Sequence, residues 1–365
     1  MAEGADYTIS PDNIHLESSL PMNLPERDIT IDLAKGFAIF LVVLGHAIQY
    51  SFGPEWTSSQ AFFENGLFKA IYSFHMPLFM LISGYLFYGS NKKDFKDLVV
   101  SKLKGIGIPM VSFVLICNGP AILRYWARFD FLHSLTFLVS RVFYGMTMWF
   151  LLSLLMNMLI VALITRVFKR RFHIYVAFAL VFIASLFIPD SIILSVHKFM
   201  FPFFCIGYIV KENAVDVYKY SKNVFFMGVL TVLSVLCILW FDRDTYIYTT
   251  GFSIKGKGIG QLFIDCKRTL IGLVVSFTVL QYVHLFAEHC RANLFVHLGQ
   301  ISLFIYGTNM VIDTFYKVLL SKMGVSIGFN YIAPALFTMG VILLAVLVYN
   351  VISKNKVTRL LFLGK

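Results

Sequence analysis

The sequence predicts an all-α protein, a polytopic membrane bundle of about ten transmembrane helices with both termini cytoplasmic. Three observations carry this expectation. Of 365 residues, 58% are hydrophobic and 14% charged, against about a quarter charged in soluble domains, and the mean hydropathy is +0.76. Apolar runs of about 17–25 residues, long enough to cross a bilayer as helices, recur from residue 33 to residue 353. Lysines and arginines gather on alternate connections between those runs.

Taken in order, the runs are 33–53, 66–89, 105–124, 147–168, 172–189, 195–211, 223–241, 262–287, 294–319 and 331–353. Segment 131–146 (FLHSLTFLVSRVFYGM) is short and contains His133 and Arg141, which suits an interfacial or re-entrant helix. One set of connections carries Lys92, Lys93, Lys96, Lys102 and Lys104, then Arg166, Lys169, Arg170 and Arg171, then Lys211, Lys219, Lys222, Arg291, Lys354, Lys356, Arg359 and Lys365. The opposite set is poorer, although 242–258 (DRDTYIYTTGFSIKGKG) departs from the trend with Arg243, Lys255 and Lys257. The positive-inside rule therefore places both ends in the cytoplasm and requires an even number of spans. Residues 1–30 then form a cytoplasmic tail, 31–353 the membrane domain and 354–365 a second cytoplasmic tail, with the plasma (inner) membrane as the expected location.

Several function classes drop out. The net charge of +11 follows the loop pattern of a membrane protein, so no nucleic-acid partner is expected. Cys117, Cys205, Cys237, Cys266 and Cys290 stand singly, with no metal-ligand spacing and no paired framework, so no metal is expected. The polar start lacks a basic segment followed by an apolar run, and the first span is expected to direct insertion. GKGIGQ (256–261) lacks the phosphate-loop pattern and reads as a turn.

Ionisable groups inside membrane helices are costly and usually face a cavity or a partner. Lys35 and His46 lie eleven residues apart, roughly 1,100° of helical rotation, which returns to within about 20° of the same face, about 16 Å along the axis. Asp32 is placed to pair with Lys35 or to cap the helix. In SFHMPLFMLISGYLF (73–87), His75 precedes Met76-Pro77, and the proline frees backbone groups and bends the path. Ser83-Gly84 supplies small residues for a close helix approach. The short connection makes this segment the neighbour of the first, so His46 and His75 can share a cavity. A third group is Asp265 with Arg268, set beside Asn309 and Asp313 on a later helix. Taken singly, each of these reads as structural: a hydrogen-bonded histidine, a snorkelling lysine, a neutralised ion pair. Taken together, two histidines on adjoining helices and a cation aligned below one of them point to a site.

Imidazole is the usual general base near neutral pH. A cation at the cytosolic rim suits a phosphate-bearing cosubstrate whose long arm reaches inward, and the Lys35–His46 separation suits the pantetheine arm of an acyl-CoA. Dimensions alone leave a transporter open.

These stretches resemble the acyltransferase-3 family of membrane acyltransferases. The family's opening motif is matched by Arg27, Ile31-Asp32, Lys35-Gly36 and His46, and its second helix by His75 and Ser83-Gly84. Further similarity lies in 102–109 ending at Pro109, MWFLLSL (148–154), FPFFCIGYIV (201–210) and ISLFIYGTN (301–309). Lys35 stands where the family motif has arginine, a variant similar to the sugar and fucose O-acetylase-like branch, and keeps charge without the planar fork. Asn309 stands where many relatives carry histidine, and no appended extracytoplasmic hydrolase-like domain is expected.

The resemblance implies an O-acetyltransferase that moves an acyl group from cytosolic acetyl-CoA to a hydroxyl of a surface glycan or its lipid-linked precursor. It implies His46 as general base and His75 as orienting or charge-stabilising partner. Arg27, Lys35 and Lys104 would hold CoA phosphates, while Asp32, Ser83, Trp149, Arg268 and Asn309 would shape the substrate path. Direct transfer and an acyl-histidine route both remain open. The rival from another class is a polysaccharide or small-molecule exporter with a histidine proton relay.

Overall fold

The computed structural model describes residues 28–128, 130–255, 257–289, 293–323 and 328–365. Among them there is no β-strand. The chain runs through α1 (Ile29–Tyr50), the short α2 (Pro54–Ser58) and α3 (Gln60–Glu64), α4 (Gly66–Tyr72) and α5 (His75–Ser90). There follow α6 (Phe95–Lys102), a π-helical turn (Leu103–Gly107), α7 (Ile108–Trp126), α8 (Phe131–Phe143), α9 (Trp149–Val167), α10 (Arg171–Leu186) and α11 (Ile192–Glu212). The remainder is α12 (Val224–Trp240), α13 (Ile247–Thr250), α14 (Gly258–His289), α15 (Asn293–Gln300), α16 (Ser302–Met323), α17 (Ile332–Ile352) and α18 (Lys356–Leu363).

Seven of the described helical stretches are long and apolar enough to cross a membrane, and the bent pair α15–α16 makes an eighth if it is one span. Two other expected runs, 172–189 and 223–241, are the shorter apolar helices α10 and α12. This is a multi-pass membrane protein. Segment 131–146 folds as α8, thirteen residues long, or about 20 Å, which is short of the hydrocarbon thickness. Phe131, Leu132, Leu135, Val139 and Phe143 project outward from it.

The run 294–319, read from sequence as one helix, is broken by 79° between α15 and α16. The cause lies in packing rather than in a proline. α15 crosses α1 so closely that a Cβ on Gly36 would overlap the Phe295 carbonyl, and one on Gly299 would overlap the Asp32 carbonyl. Having docked there, the chain must turn to climb the bundle as α16. The second close crossing joins α5 to α11, where Gly84 faces the Phe204 carbonyl and Gly207 faces Leu81. Without a hydrophobic drive between helices in lipid, such small-residue crossings supply the packing energy, as the Ser83-Gly84 pair suggests.

α1 is the hub, touching α4, α5, α14, α15, α16 and α17. Asp28 caps its start, accepting from Ile31 N at 3.2 Å. Pro77 explains the break between α4 and α5. It has no N–H for the Ser73 carbonyl, the chain kinks at Phe74 (φ −143°, ψ −21°), and Ser276 Oγ donates to the Phe74 carbonyl at 3.3 Å.

Replacing Gly84 by valine forces α5 away from α11 and should destabilise the fold by about 3 kcal/mol, the cost of overpacking a tight interior. A thermal melt of the detergent-solubilised protein, followed by size-exclusion chromatography, measures this. An unshifted midpoint would show that the crossing is dispensable.

Candidate active site

Two chambers lie end to end along α1. The first, about 320 Å³, is lined by Lys35, Ile39 and Val42 of α1, by Ser83 and Leu86 of α5, by Lys102, and by Phe150, Leu151 and Leu154 of α9. The second, about 540 Å³, holds His46, His75, Trp149, Arg268 and Asp313, with tyrosines 50, 72, 246, 248 and 306 in its wall. Met76 and Tyr306 line both. The helical stripe Lys35, Ile39, Val42, His46 thus runs from one chamber into the other, as the eleven-residue spacing requires.

His46 is 14% exposed at its side chain and sits on α1 opposite two residues of α16. Its Nδ1 lies 2.7 Å from Asn309 Nδ2 and 3.4 Å from Asp313 Oδ2. Asn309 Nδ2 also donates to Asp313 Oδ2 at 2.9 Å, the i,i+4 spacing bringing both side chains to one face. An amide nitrogen only donates, so against Asn309 Nδ2 the ring nitrogen Nδ1 is the acceptor and Nε2 carries the proton, whereas a proton on Nδ1 has Asp313 Oδ2 as its acceptor. Asp313 is 1% exposed and Asn309 fully buried, so the carboxylate orients the ring in a medium that strengthens the contact.

His75 is fixed differently. Its Nδ1 is 2.6 Å from the Ile71 carbonyl; a carbonyl only accepts, so Nδ1 carries the proton and Nε2 keeps a lone pair. The α4–α5 kink exposes that carbonyl to the ring. Tyr72 packs edge-on against His75 at 4.9 Å, and its hydroxyl donates to Gln49 Oε1 at 2.7 Å, which ties the wall to α1. Gln49 Nε2 in turn donates to Tyr246 Oη at 3.1 Å.

The other expected site residues divide. Ser83 lines the first chamber and Trp149 the second. Asp32 lines neither; its Oδ1 is 3.5 Å from Lys35 Nζ, steering the lysine. Lys104 is exposed and lines neither chamber, whereas Lys102 lines the first. Lys102 directly precedes the π-helical turn that carries Lys104. Asn309 and Asp313, grouped by sequence with Asp265 and Arg268, stand instead behind His46. Arg27 lies outside the described residues. Sequence reasoning passed over Lys102, Tyr306 and the tyrosine wall; the aromatic residues are hidden in runs that also read as lipid-facing.

Arg268, 2% exposed, lines the second chamber but spends its donors on the loop above it. Nη1 donates to the Gly251 carbonyl at 2.7 Å and Nη2 to the Asp244 carbonyl at 2.9 Å. The same loop is held from its other side by Asp190, which accepts from Phe252 N at 2.9 Å and pairs with Lys257 at 3.2 Å and Lys198 at 3.2 Å. Lys267 pairs with Asp242. These bonds occupy Lys257, one of the three loop cations in 242–258 that depart from the positive-inside pattern. The loop roofs the second chamber with Thr245, Tyr246, Ile247 and Tyr248. Among the described residues no cluster of metal-ligating side chains occurs.

A family model described as "Acyltransferase domain" matches residues 28–352. The chain is 28% identical to nodulation protein NolL of Mesorhizobium japonicum over 301 residues, 79% of this chain and 77% of that protein. It is 33% identical to nodulation protein NolL of Sinorhizobium fredii over 227 residues, 61% of this chain and 60% of that protein. No solved structure matches.

The roof loop carries a pH prediction. Burial raises the Asp190 carboxyl, but hydrogen bonds from Ser195, Lys198 and Lys257 outweigh it and hold the group below its ordinary 3.8. A depressed carboxylate contributes stability above its unfolded value, which is lost as pH falls through the folded one. Limited proteolysis within 242–258 should therefore stay slow from neutrality down to about pH 4 and accelerate below it. Asp190→Asn should be cut severalfold faster at pH 7; equal cutting of variant and wild type would remove Asp190 from the clamp.

Proposed function

The chain belongs to the acyltransferase-3 family and is a membrane acyltransferase, and from that premise we propose that it carries an acetyl group from cytosolic acetyl-CoA to a hydroxyl of a glycan or lipid-linked sugar. The carrying observation is the α1 stripe. It leads from a lysine-rimmed apolar chamber into a polar chamber with two histidines, the two sharing Met76 and Tyr306 in their linings.

In this reading the basic end of the bundle faces the cytosol of a cell bounded by its inner membrane, by the positive-inside rule. The segments 1–30 and 354–365 are then cytosolic tails of a single catalytic domain, 31–353. Lys35 and Lys102, with Arg27 as a further cation of the motif, hold the phosphates of CoA as point charges. The apolar walls of the first chamber, including Leu86 and Leu154, enclose the pantetheine arm, with Ser83 beside them as a hydroxyl for its amides. The thioester comes to rest where Met76 and Tyr306 border both chambers.

The second chamber suits a sugar. Its tyrosines and Trp149 offer ring faces whose negative quadrupole attracts the polarised C–H groups of a pyranose, and Gln49, Thr245 and Thr314 offer hydrogen bonds. In the reactive tautomer His46 carries its resting proton on Nδ1, directed at Asp313 Oδ2 with the Asn309 amide turned off Nδ1, and takes the proton of the attacking hydroxyl on Nε2. The imidazolium so formed has Asp313 Oδ2 beside Nδ1 as countercharge, the carboxylate being held by Asn309. The hydroxyl oxygen bonds to the carbonyl carbon, the C–S bond breaks, and the proton on Nε2 passes to the departing thiolate. His75, with Nε2 unprotonated, accepts a hydrogen bond from the acceptor sugar and fixes its pose. Transfer is direct, because the two chambers bring donor and acceptor face to face.

Purified protein given acetyl-CoA and octyl glycosides of hexoses and 6-deoxyhexoses should release CoA thiol and form acetylated glycoside. His46→Ala should lower kcat by about 10³-fold, and Asp313→Asn by about 10²-fold, with acetyl-CoA binding retained. Full activity in His46→Ala would dismiss it as the base.

Lys35→Ala and Lys102→Ala should each raise the KM for acetyl-CoA about fivefold with kcat nearly unchanged, the signature of lost ground-state binding. Acetyl-pantetheine, which lacks every CoA phosphate, losing as much in both variants as acetyl-CoA does would rule out phosphate recognition.

A further inference from the structure

We infer that the uncapped N-terminus of α9 and the Tyr306 hydroxyl together form the site that stabilises the negative carbonyl oxygen during transfer. This inference rests on the acyl-transfer reading above.

α9 begins deep in the bundle. Met148 is 2%, Trp149 8%, Phe150 7% and Leu151 2% exposed. The first bond within the helix is Leu152 N to the Met148 carbonyl at 3.2 Å, so the N–H groups of Trp149, Phe150 and Leu151 precede the helical ladder. No side chain caps them. α1, α4, α11 and α12 are capped by Asp28, Asn65, Ser191 and Asn223, whereas α5, α10 and α17 share the uncapped start of α9. A buried helix start without a cap leaves donors seeking an acceptor, and the helix dipole adds partial positive charge there.

The second observation is independent of the helix. Tyr306 is 4% exposed, it lines both chambers, and its Oη has no hydrogen-bond partner among the described residues. Buried hydroxyls without partners are rare in folded proteins, so this one wants an acceptor. Its ring meets Phe150 at 5.9 Å, and the Phe150 N–H points toward the hydroxyl oxygen, which leaves the Tyr306 O–H itself to find an acceptor. The Tyr306 O–H at the border of the two chambers therefore stands beside a helix start whose Phe150 N–H backs it and whose Trp149 and Leu151 N–H groups precede the ladder. Trp149 lines the second chamber, while Phe150 and Leu151 line the first.

An acyl thioester resting at that junction presents one strong acceptor, its carbonyl oxygen. When the sugar hydroxyl adds to the carbonyl carbon, the π electrons move to this oxygen and its proton goes to His46. Tyr306 Oη–H and the α9 N–H groups donate hydrogen bonds to the oxyanion without giving up their protons. When the electrons return, the C–S bond breaks and the thiolate leaves with the proton from His46. Fixed donors aimed at developing charge in a water-poor site are commonly worth 10²–10³ in rate.

The test uses the purified full chain, acetyl-CoA and the octyl glycoside acceptors. Tyr306→Phe should lower kcat by about 10²-fold to 10³-fold while the KM for acetyl-CoA stays within about twofold. Replacing Tyr306 by 3-fluorotyrosine, which strengthens the donor with little change in size, should alter kcat and leave KM in place. Tyr306→Phe with wild-type kcat, beside an inactive His46→Ala, would overturn the oxyanion site and leave the acyl-transfer reading standing. Loss of fold in Tyr306→Phe together with a 3-fluorotyrosine enzyme indistinguishable from wild type would also overturn it, assigning Tyr306 a packing role. A wild-type protein that consumes acetyl-CoA with none of these acceptors would count against both readings.

Discussion

The architecture depends on one contact, the backbone-to-backbone crossing of α1 and α15 at Gly36 and Gly299. With no Cβ on either side, the Asp32 and Phe295 carbonyls come within reach of the opposing glycines. This contact holds α1 in register at the basic end, which sets where Lys35 points and, eleven residues on, where His46 points. It also forces the 79° turn after α15, and the turn carries α16 past the His46 end of α1. Asn309 and Asp313 then fall beside Nδ1. A packing constraint at one end of the molecule thereby supplies the polar partners of a histidine at the other.

A good part of this was legible in the sequence, and for physical reasons. Helical periodicity is rigid, so the alignment of Lys35 with His46 follows from counting residues. Pro77 marks a break because its missing N–H has only one consequence for the carbonyl four residues back. Ser83-Gly84 signals a close crossing because lipid gives helices little other reason to approach. These are local properties, and sequence records them directly.

What escaped depends on how distant segments meet. The break after Gln300 has no proline or unusual composition to announce it, since its cause is docking onto another helix. Asn309 and Asp313 stand far from His46 in sequence, and nothing local says whether they face α1 or α14; grouping them with Arg268 placed them one helix away from their partners. Lys104 and Lys102 were indistinguishable until the π-helical turn after Lys102 fixed which of them faces inward. Tyr306 is one aromatic residue among many, and its orphan hydroxyl is visible only when every neighbour is known. Of the three loop cations in 242–258 that depart from the charge rule, Lys257 finds its partner in Asp190, on a different connection.

In the function proposed above, the two chambers resolve a problem that any enzyme acting across a membrane faces. A charged cosubstrate cannot enter the hydrocarbon core, yet its reactive end must reach a site that water does not flood. A cation at the rim, an apolar corridor and a polar chamber roofed by a clamped loop answer this with side chains placed in order along one helix. The most direct measurement of that arrangement is a cryo-electron microscopy structure of the protein with a non-transferable acetyl-CoA analogue. The account predicts density for the pantetheine arm between Ser83 and Leu154, with the carbonyl between Met76 and Tyr306. An analogue bound elsewhere on the surface, with that corridor filled by lipid, would contradict it.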